Sequence, residues 1–339
     1  MKTLKLIFIS AAFFVFSSNA FADNFGGGSR ASFTRGGWVG AEYIAMGKAA
    51  EVIADDAFAI YWNPAGLTGL TEGKNLSSDE ITNKARSGNI SEITEEALLA
   101  FSDDQKKKTI VHVGISGSIL DAWRNTGFVG VAFNLPVGVF GIGFYSLFSL
   151  GIDARDATGA LIGSTNYVSG ISFLSYGLSI GVVSIGASVK VLYEGIGDVN
   201  YLGFGADVGV NVSILPFLKA AFVVQDICTG LFPLAASPVI GQRYDFGYPT
   251  LKLGLAVETD FGLTIAFSLV KKIEIDPFGF SFGVRYDVAK FFTLSLGVSD
   301  LLFSTGAIIK IYSFNMAYAF SIDRIDYGYN HTVSLSMLF

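Results

Sequence analysis

Residues 202–214 read L-G-F-G-A-D-V-G-V-N-V-S-I. In an extended chain, successive side chains point to opposite faces. One face would carry Leu202, Phe204, Ala206, Val208, Val210, Val212 and Ile214; the other Gly203, Gly205, Asp207, Gly209, Asn211 and Ser213. One wall is wholly apolar and the other small and polar. A helix would scatter Asp207 and Asn211 around its surface. The same two-residue period recurs in 183–191, 251–257, 263–269, 280–288 and 292–298. A soluble sandwich also alternates, but its wet face would hold Lys and Glu at higher density. Here that face is mainly Gly, Ala and Ser, with rare charges such as Lys190, Asp207 and Arg285. This is the pattern of a barrel that meets lipid outside and a filled lumen inside.

Composition agrees. Charged residues make up 15% of the chain, against about 25% in ordinary soluble domains. Phe and Tyr number 31 and 14, and Trp only 3. Residues 126–152 carry no charge, yet their period argues against a polytopic helical protein. The net charge of −6 argues against nucleic-acid binding. Residues 1–22 read as a secretory signal peptide: Lys2 and Lys5, an apolar run at 6–16, then Ala20-Phe21-Ala22 as cleavage site.

The expected fold is an all-β transmembrane antiparallel barrel. Alternation places strands near 109–118, 126–135, 138–150, 167–178, 183–194, 200–213, 217–226, 249–259, 262–273, 279–288, 291–300, 306–320 and 329–339. That count is odd, and single-chain bacterial barrels have even ones. A further strand near 67–76 would bring the total to about fourteen. Most prolines fall between the alternating runs or at their edges, as the missing N–H requires. Residues 151–166 and 227–248 are expected as loops. Counting back from a periplasmic C-terminus puts both on the periplasmic rim, which conflicts with the short turns usual there. The domain plan is a signal peptide at 1–22, an N-terminal segment at 23–65 and the barrel at 66–339. Within it, 74–108 forms a charged loop holding 13 charged residues. The last strand ends on Phe339, a terminal aromatic similar to the signal read by the barrel-assembly machinery.

The runs Ala45-Met46-Gly47-Lys48-Ala49-Ala50 and Ala54-Asp55-Asp56-Ala57-Phe58-Ala59-Ile60-Tyr61-Trp62-Asn63-Pro64-Ala65-Gly66-Leu67 resemble the N-terminal signature of the FadL superfamily. These are outer-membrane transporters of long-chain fatty acids. The likeness is to the superfamily's PorV-like branch in particular. Weaker matches follow at Asp207-Val208-Gly209-Val210, Val223-Val224-Gln225-Asp226, 248–255 and 330–336. The resemblance implies a fourteen-stranded barrel whose segment 23–65 folds inside as a hatch, with Asn63, Pro64 and Ala65 as its motif. It implies passive diffusion of a hydrophobic substrate. The chain departs from the pattern at Lys48, where Gly is common, and at Asp226, where Asn is frequent; 74–108 has no match there.

Physics gives the motif a role. Pro64 fixes its own φ and pushes Asn63 to extended geometry. The Asn63 side chain can then bond nearby backbone and hold a turn. Asp55 and Asp56 need partners if buried. Lumen-facing Lys190 and Arg285 are candidates, as are Arg30 and Arg35; the alternative is a solvated turn.

Catalytic and metal patterns are missing. The only histidines are His112 and His331 and the only cysteine is Cys228. No cysteine pair, spaced histidine pair or nucleophile-elbow motif occurs. No cofactor, metal site or enzymatic activity is expected. The expected function is outer-membrane passage of hydrophobic molecules, foremost long-chain fatty acids, gated by the hatch. Its partners would be the ligand, membrane lipid and the assembly machinery. The alternative is a PorV-like docking barrel serving a secretion or surface-attachment component. A hydrophilic porin is disfavoured by the sparse lumen charge.

Overall fold

The computed structural model describes residues 37–72, 109–234, 245–273, 278–323 and 328–339. The signal peptide, Arg30, Arg35 and the charged stretch 74–108 lie outside them. Fourteen antiparallel strands make the wall. They are β1 (Val111–Leu120), β2 (Arg124–Leu135), β3 (Gly138–Arg155), β4 (Leu161–Ile180), β5 (Val183–Ile196), β6 (Val199–Leu215) and β7 (Leu218–Pro233). β8 (Thr250–Glu258), β9 (Leu263–Lys272), β10 (Gly279–Ala289), β11 (Phe292–Ser299), β12 (Leu302–Ile311), β13 (Phe314–Ile322) and β14 (Tyr329–Leu338) follow. Each pairs with its sequence neighbours, and β1 pairs with β14 in the register Ser116↔Ser334, so the ring is closed. Closure leaves no free edge along the wall. A two-residue strand, Asp245–Phe246, adds to the end of β7.

The alternation holds strand by strand. In β6, Phe204 and Val208 are exposed outward while Gly203, Asp207 and Gly209 are buried inward. In β11, Leu294 and Leu296 point out while Thr293, Ser295 and Gly297 point in. The outside of the ring therefore carries more large apolar surface than a water-facing wall tolerates.

Three expectations need correction. The strand expected near 67–76 is not seen in its described part: Pro64–Thr68 is a 3-10 turn and Gly69–Glu72 a short helix, and residues 73–76 lie outside the described residues. The missing strand comes instead from 306–320, which is two strands hinged at Tyr312 and Ser313. No glycine or proline marks that turn. Tyr312 itself takes the left-handed conformation, at φ 52°. The loop expected at 151–166 is mostly strand, with only residues 156–160 left between β3 and β4. Counting the extra strand moves both long connections to the rim opposite Phe339. The conflict over sidedness disappears.

Residues 37–72 contain α1 (Ala41–Ala45), α2 (Ala59–Trp62), the 3-10 turn and α3 (Gly69–Glu72). Helices of four or five residues do not persist alone. Wall side chains complete their hydrogen bonding. Gly40 N donates to Ser116 Oγ on β1 (3.2 Å) and Ala41 N to Ser334 Oγ on β14 (3.1 Å). Gly47 N donates to Ser304 Oγ on β12 (3.1 Å) and Ala57 N to His112 Nδ1 on β1 (3.1 Å). Thr68 Oγ1 donates to Ser184 Oγ on β5 (2.9 Å). Gln225 Nε2 on β7 donates to Tyr61 O (2.9 Å). Partners on so many strands surround the segment with wall.

The approach is close because the wall lacks side chains where the segment touches it. Gly186 and Gly209 are register partners on β5 and β6. A Cβ on Gly186 would lie 2.3 Å from Ala65 N, and one on Gly209 would lie 2.0 Å from Asn63 Oδ1. Gly283 and Gly297 are likewise partners on β10 and β11. Their Cβ atoms would lie 2.3 Å from Met46 O and 2.0 Å from Gly47 N. Gly130 on β2, paired with Gly114 on β1, faces Ala57 O, 3.2 Å from an added Cβ.

Replacing Gly297 by Val should displace residues 46–47 yet leave the ring closed. The expected loss is about 1–3 kcal/mol, the usual cost of overpacking. Limited proteolysis should cut 37–72 faster while heat-modifiable gel mobility persists. Leu296→Arg, on the outer face of the same strand, should instead weaken the whole barrel by about 2–4 kcal/mol in a bilayer, as for a cation near the midplane. Urea titration in lipid vesicles separates the two.

Candidate functional site

The interior is organised by one turn and two sets of buried charges. Asn63 is extended at φ −162° and ψ 108°, as a residue before proline should be. Its Oδ1 accepts from Ala65 N at 3.0 Å and caps the 3-10 turn that Pro64 begins. Its Nδ2 donates to Glu51 O (2.7 Å) and Asn211 Oδ1 (2.6 Å). One fully buried side chain thus ties together the turn, the preceding chain and β6.

Lys190 and Asp207, both placed on the inner face by the sequence, bond at 2.6 Å. A third member, Asp226 on β7, meets Lys190 Nζ at 2.5 Å. Asp226 N also donates to Asp207 Oδ1 at 2.8 Å. All three side chains are at most 5% exposed. Asp226 adopts φ 62°, a left-handed conformation open to Asn and Asp. Sequence reasoning missed Asp226 as a partner because it sits where the alternation of β7 breaks.

The second set is Glu51, Lys252 and Ser268. Lys252 Nζ lies 3.1 Å from Glu51 Oε1, and Ser268 Oγ donates to Glu51 Oε2 at 2.7 Å. Lys252 also sits over the Trp62 ring at 5.2 Å. Lys252 and Ser268 were legible as inward residues of alternating strands; nothing in the sequence pointed to Glu51.

The remaining candidates are placed as follows. Asp56 Oδ1 accepts from Phe58 N at 2.8 Å, holding the entry to α2, and Asp55 is exposed. Lys190 bonds to Asp207 and Asp226 rather than to either. Arg285 lies close enough to Asp55 and Glu42 to favour their charged forms. Lys48 adopts φ 64°, a left-handed conformation that favours glycine, and its Nζ covers the Trp38 ring at 3.7 Å. Phe339 closes the chain with N–H and C=O both bonded to Val111.

Between these sets lies an apolar cluster. Tyr61 packs against Tyr145 (5.3 Å between ring centres) and Phe173 (6.0 Å), with Ile171 and Leu192 buried beside them. The space left between Tyr61, Phe173, Gln225 and the Lys190 cluster is about 10 Å³, room for one water. Among the described residues, no group of three or more His, Cys, Asp or Glu is placed to hold a metal ion.

Burial raises the Glu42 carboxyl, against a 2.6 Å hydrogen bond from Ser334 Oγ. Burial raises Asp56 too, reinforced by the nearby Glu42 and Asp55. Two neighbouring carboxyls in the inner segment therefore resist ionisation together.

The molecule is thus a closed fourteen-stranded ring, apolar outside, with an interior occupied by its own N-terminal residues. No family model matches the chain and no curated protein matches its sequence. Solved structures do. The Pseudomonas putida toluene transporter TodX is 12% identical, covering 88% of this chain and 98% of that one, with a TM-score of 0.56. A deltaS2 mutant of TodX, described as a monoaromatic hydrocarbon channel, is 12% identical over 88% and 97%, with a TM-score of 0.56. A Pseudomonas aeruginosa FadL homologue is 12% identical over 89% and 97%, at 0.47. The TodX superpositions show that this chain shares the fold of that barrel.

Lys190→Met should strand two buried carboxylates and destabilise the protein by about 3–5 kcal/mol. Adding Asp207→Asn and Asp226→Asn should recover most of that loss in equilibrium unfolding. Raised carboxyls bind protons more tightly in the folded chain than in the unfolded one. Their contribution is present below the ordinary carboxylate range and lost as pH rises through the raised values. Protease protection of 37–72 should fall over that rise, and Glu42→Gln should flatten the dependence.

Proposed function

We propose that the protein passes hydrophobic compounds across the bacterial outer membrane by passive diffusion, with the inner segment as a movable hatch. The observation that carries this reading is an occupied lumen whose contents are fastened by single polar contacts around an aromatic core. The likeness to a barrel described as a toluene transporter supports it. Long-chain fatty acids are the proposed substrate, following the motif at 45–67. The signal peptide at 1–22 and the terminal Phe339 would direct export and assembly of the barrel.

The 10 Å³ interior space holds no acyl chain. Passage therefore requires the inner segment to shift, and the polar contacts name what must break. The Asn63 bonds, the Glu51–Lys252 pair and the Ser268 contact are individually modest, about 0.5–3 kcal/mol each. Displacing residues 37–72 would open the lumen beside Tyr145, Ile171 and Phe173, a face suited to an apolar tail.

The filled lumen equally suits the second reading, a PorV-like docking barrel that carries no substrate. Uptake separates the two. Cells or proteoliposomes holding the protein should take up a radiolabelled long-chain fatty acid saturably. Glu51→Gln should raise the uptake rate several-fold by loosening the hatch, while Lys252→Cys crosslinked to Glu51→Cys should abolish it reversibly with reductant. Uptake equal to that of empty vesicles rejects the transport reading.

A further inference from the structure

His331 interrupts the apolar outer face of the wall, and passage through the lumen does not use it. On β14, Tyr329, His331 and Val333 point outward, while Asn330, Thr332 and Ser334 are buried inward. An ionisable side chain on a lipid-facing wall is costly and marks a site. This one is held in place from β13. Tyr318 Oη lies 2.8 Å from His331 Nδ1, the Tyr318 ring stacks on the imidazole at 6.2 Å, and Phe320 meets it edge-on at 5.7 Å. With the phenol donating to Nδ1, the ring hydrogen sits on Nε2. The depth is marked by neighbours. Tyr329 pairs with Ile322 at the end of the β13–β14 hairpin, on the rim opposite Phe339, and is 65% exposed. Trp123, in the adjacent β1–β2 turn, is 87% exposed. Tyrosine and tryptophan gather at the headgroup level of a membrane, so His331 stands just beneath it.

Beside this pair the outer wall is hollow. One row of outward residues, followed from partner to partner, passes through Gly117, Gly127, Ser146 and Gly170 on β1 to β4 and stops at Tyr193 on β5. At its near end Gly117 adjoins Val333, the register partner of Tyr318. The rows on either side are bulky: Ile115, Val129 and Phe144 below, Ile119, Phe148 and Val168 above. A Cβ on Gly117 would meet only Thr126 O, at 3.8 Å, so the trough is open outward. Neighbouring strands lie about 4.8 Å apart, which makes it about 14 Å long from β1 to β4. Its far end deepens into a cavity of about 320 Å³ over Gly170, between Phe144, Val168, Val191 and Tyr193.

We infer that this face binds one phosphate-bearing lipid of the outer leaflet, its phosphate on His331 and Tyr329 and one saturated acyl chain laid along the trough into the cavity. The occupant follows from shape and chemistry. The trough opens only toward the membrane, and no charged side chain lines it. Its bulky borders stand four residues apart along each strand, about 13 Å between Cα atoms, and their side chains fill much of that width. An α-helix, about 10–12 Å across, is too wide for what remains; a single hydrocarbon chain is not. The imidazole N–H and the Tyr329 hydroxyl both donate, and a phosphate oxygen accepts from both. The polar pair fixes the head, so the chain in the trough is held rather than exchanging freely with the bilayer.

The test uses the full chain in detergent micelles, with dimyristoyl phosphatidic acid and dimyristoylglycerol as probes and native mass spectrometry to count bound lipid. Phosphatidic acid should bind once and saturably, roughly tenfold more tightly than the diacylglycerol, the effect of hydrogen bonds to a charged group. His331→Leu combined with Tyr329→Phe should erase that preference. Gly117→Leu combined with Gly127→Leu fills the trough and should weaken both lipids several-fold, while Ile119→Leu should bind as the parent does. Outward leucines suit a lipid-facing wall, and heat-modifiable gel mobility checks that each variant is a closed barrel. Absence of saturable binding, equal affinity for the two lipids, or indifference to the filled trough overturns the inference. A dimer that Gly117→Leu dissolves would give the face to a second copy and overturns it too. The His331 arm decides alone if the leucine pair does not fold, and neither arm depends on uptake through the lumen.

Discussion

The structure depends on direct contact between main chain and wall. At three places the backbone of residues 37–72 touches the strands without an intervening side chain on the wall. Each contact falls on a glycine or on two glycines paired across neighbouring strands: Gly114 and Gly130, Gly186 and Gly209, Gly283 and Gly297. A methyl group at Gly209 or Gly297 would overlap the inner segment at 2.0 Å, far inside van der Waals contact. The many small inward residues of the barrel thus leave little empty volume. They are the negative of a shape that the N-terminal residues fill.

Buried charge secures what shape alone would leave loose. Lys190 draws β5, β6 and β7 together through Asp207 and Asp226. Glu51 fastens the inner segment to β8 and β9 through Lys252 and Ser268. Such groups are costly to desolvate and gain stability only as complete sets. They act as locators: a half-formed set is worse than none, so the segment has one acceptable position. Any displacement of the segment must break these pairs together or replace each of them.

Much of this was legible in order along the chain. Period-two patterning located most of the wall strands and placed Lys190, Asp207 and Lys252 on the inner face. The Asn63-Pro64 pair foretold an extended residue followed by a capped turn. What stayed hidden was non-local or carried by a single backbone angle. Tyr312 makes a hairpin turn without glycine or proline, so two strands read as one. The extension of β3 and β4 past the wall looked like a loop, because a two-stranded ribbon wet on both faces has no apolar side to alternate. Asp226 meets Lys190 two strands away and 36 residues back, and Glu51 meets Lys252 and Ser268 on the distant wall, where no local rule reaches.

The ring is not uniformly strong. β7 pairs with β8 only from Leu218↔Val257 to Gln225↔Thr250. Beyond that, Asp226 and Cys228 turn left-handed, and the ladder resumes for two residues with Asp245–Phe246. The ladder across this seam stops short of the rim, and the buried Lys190 set ties β7 to β5 and β6, not to β8. Local opening starts where backbone bonds are missing, so this seam frays from Asp226 towards the rim. Its amide protons exchange first, and the rest of the hoop stays wound after it has parted.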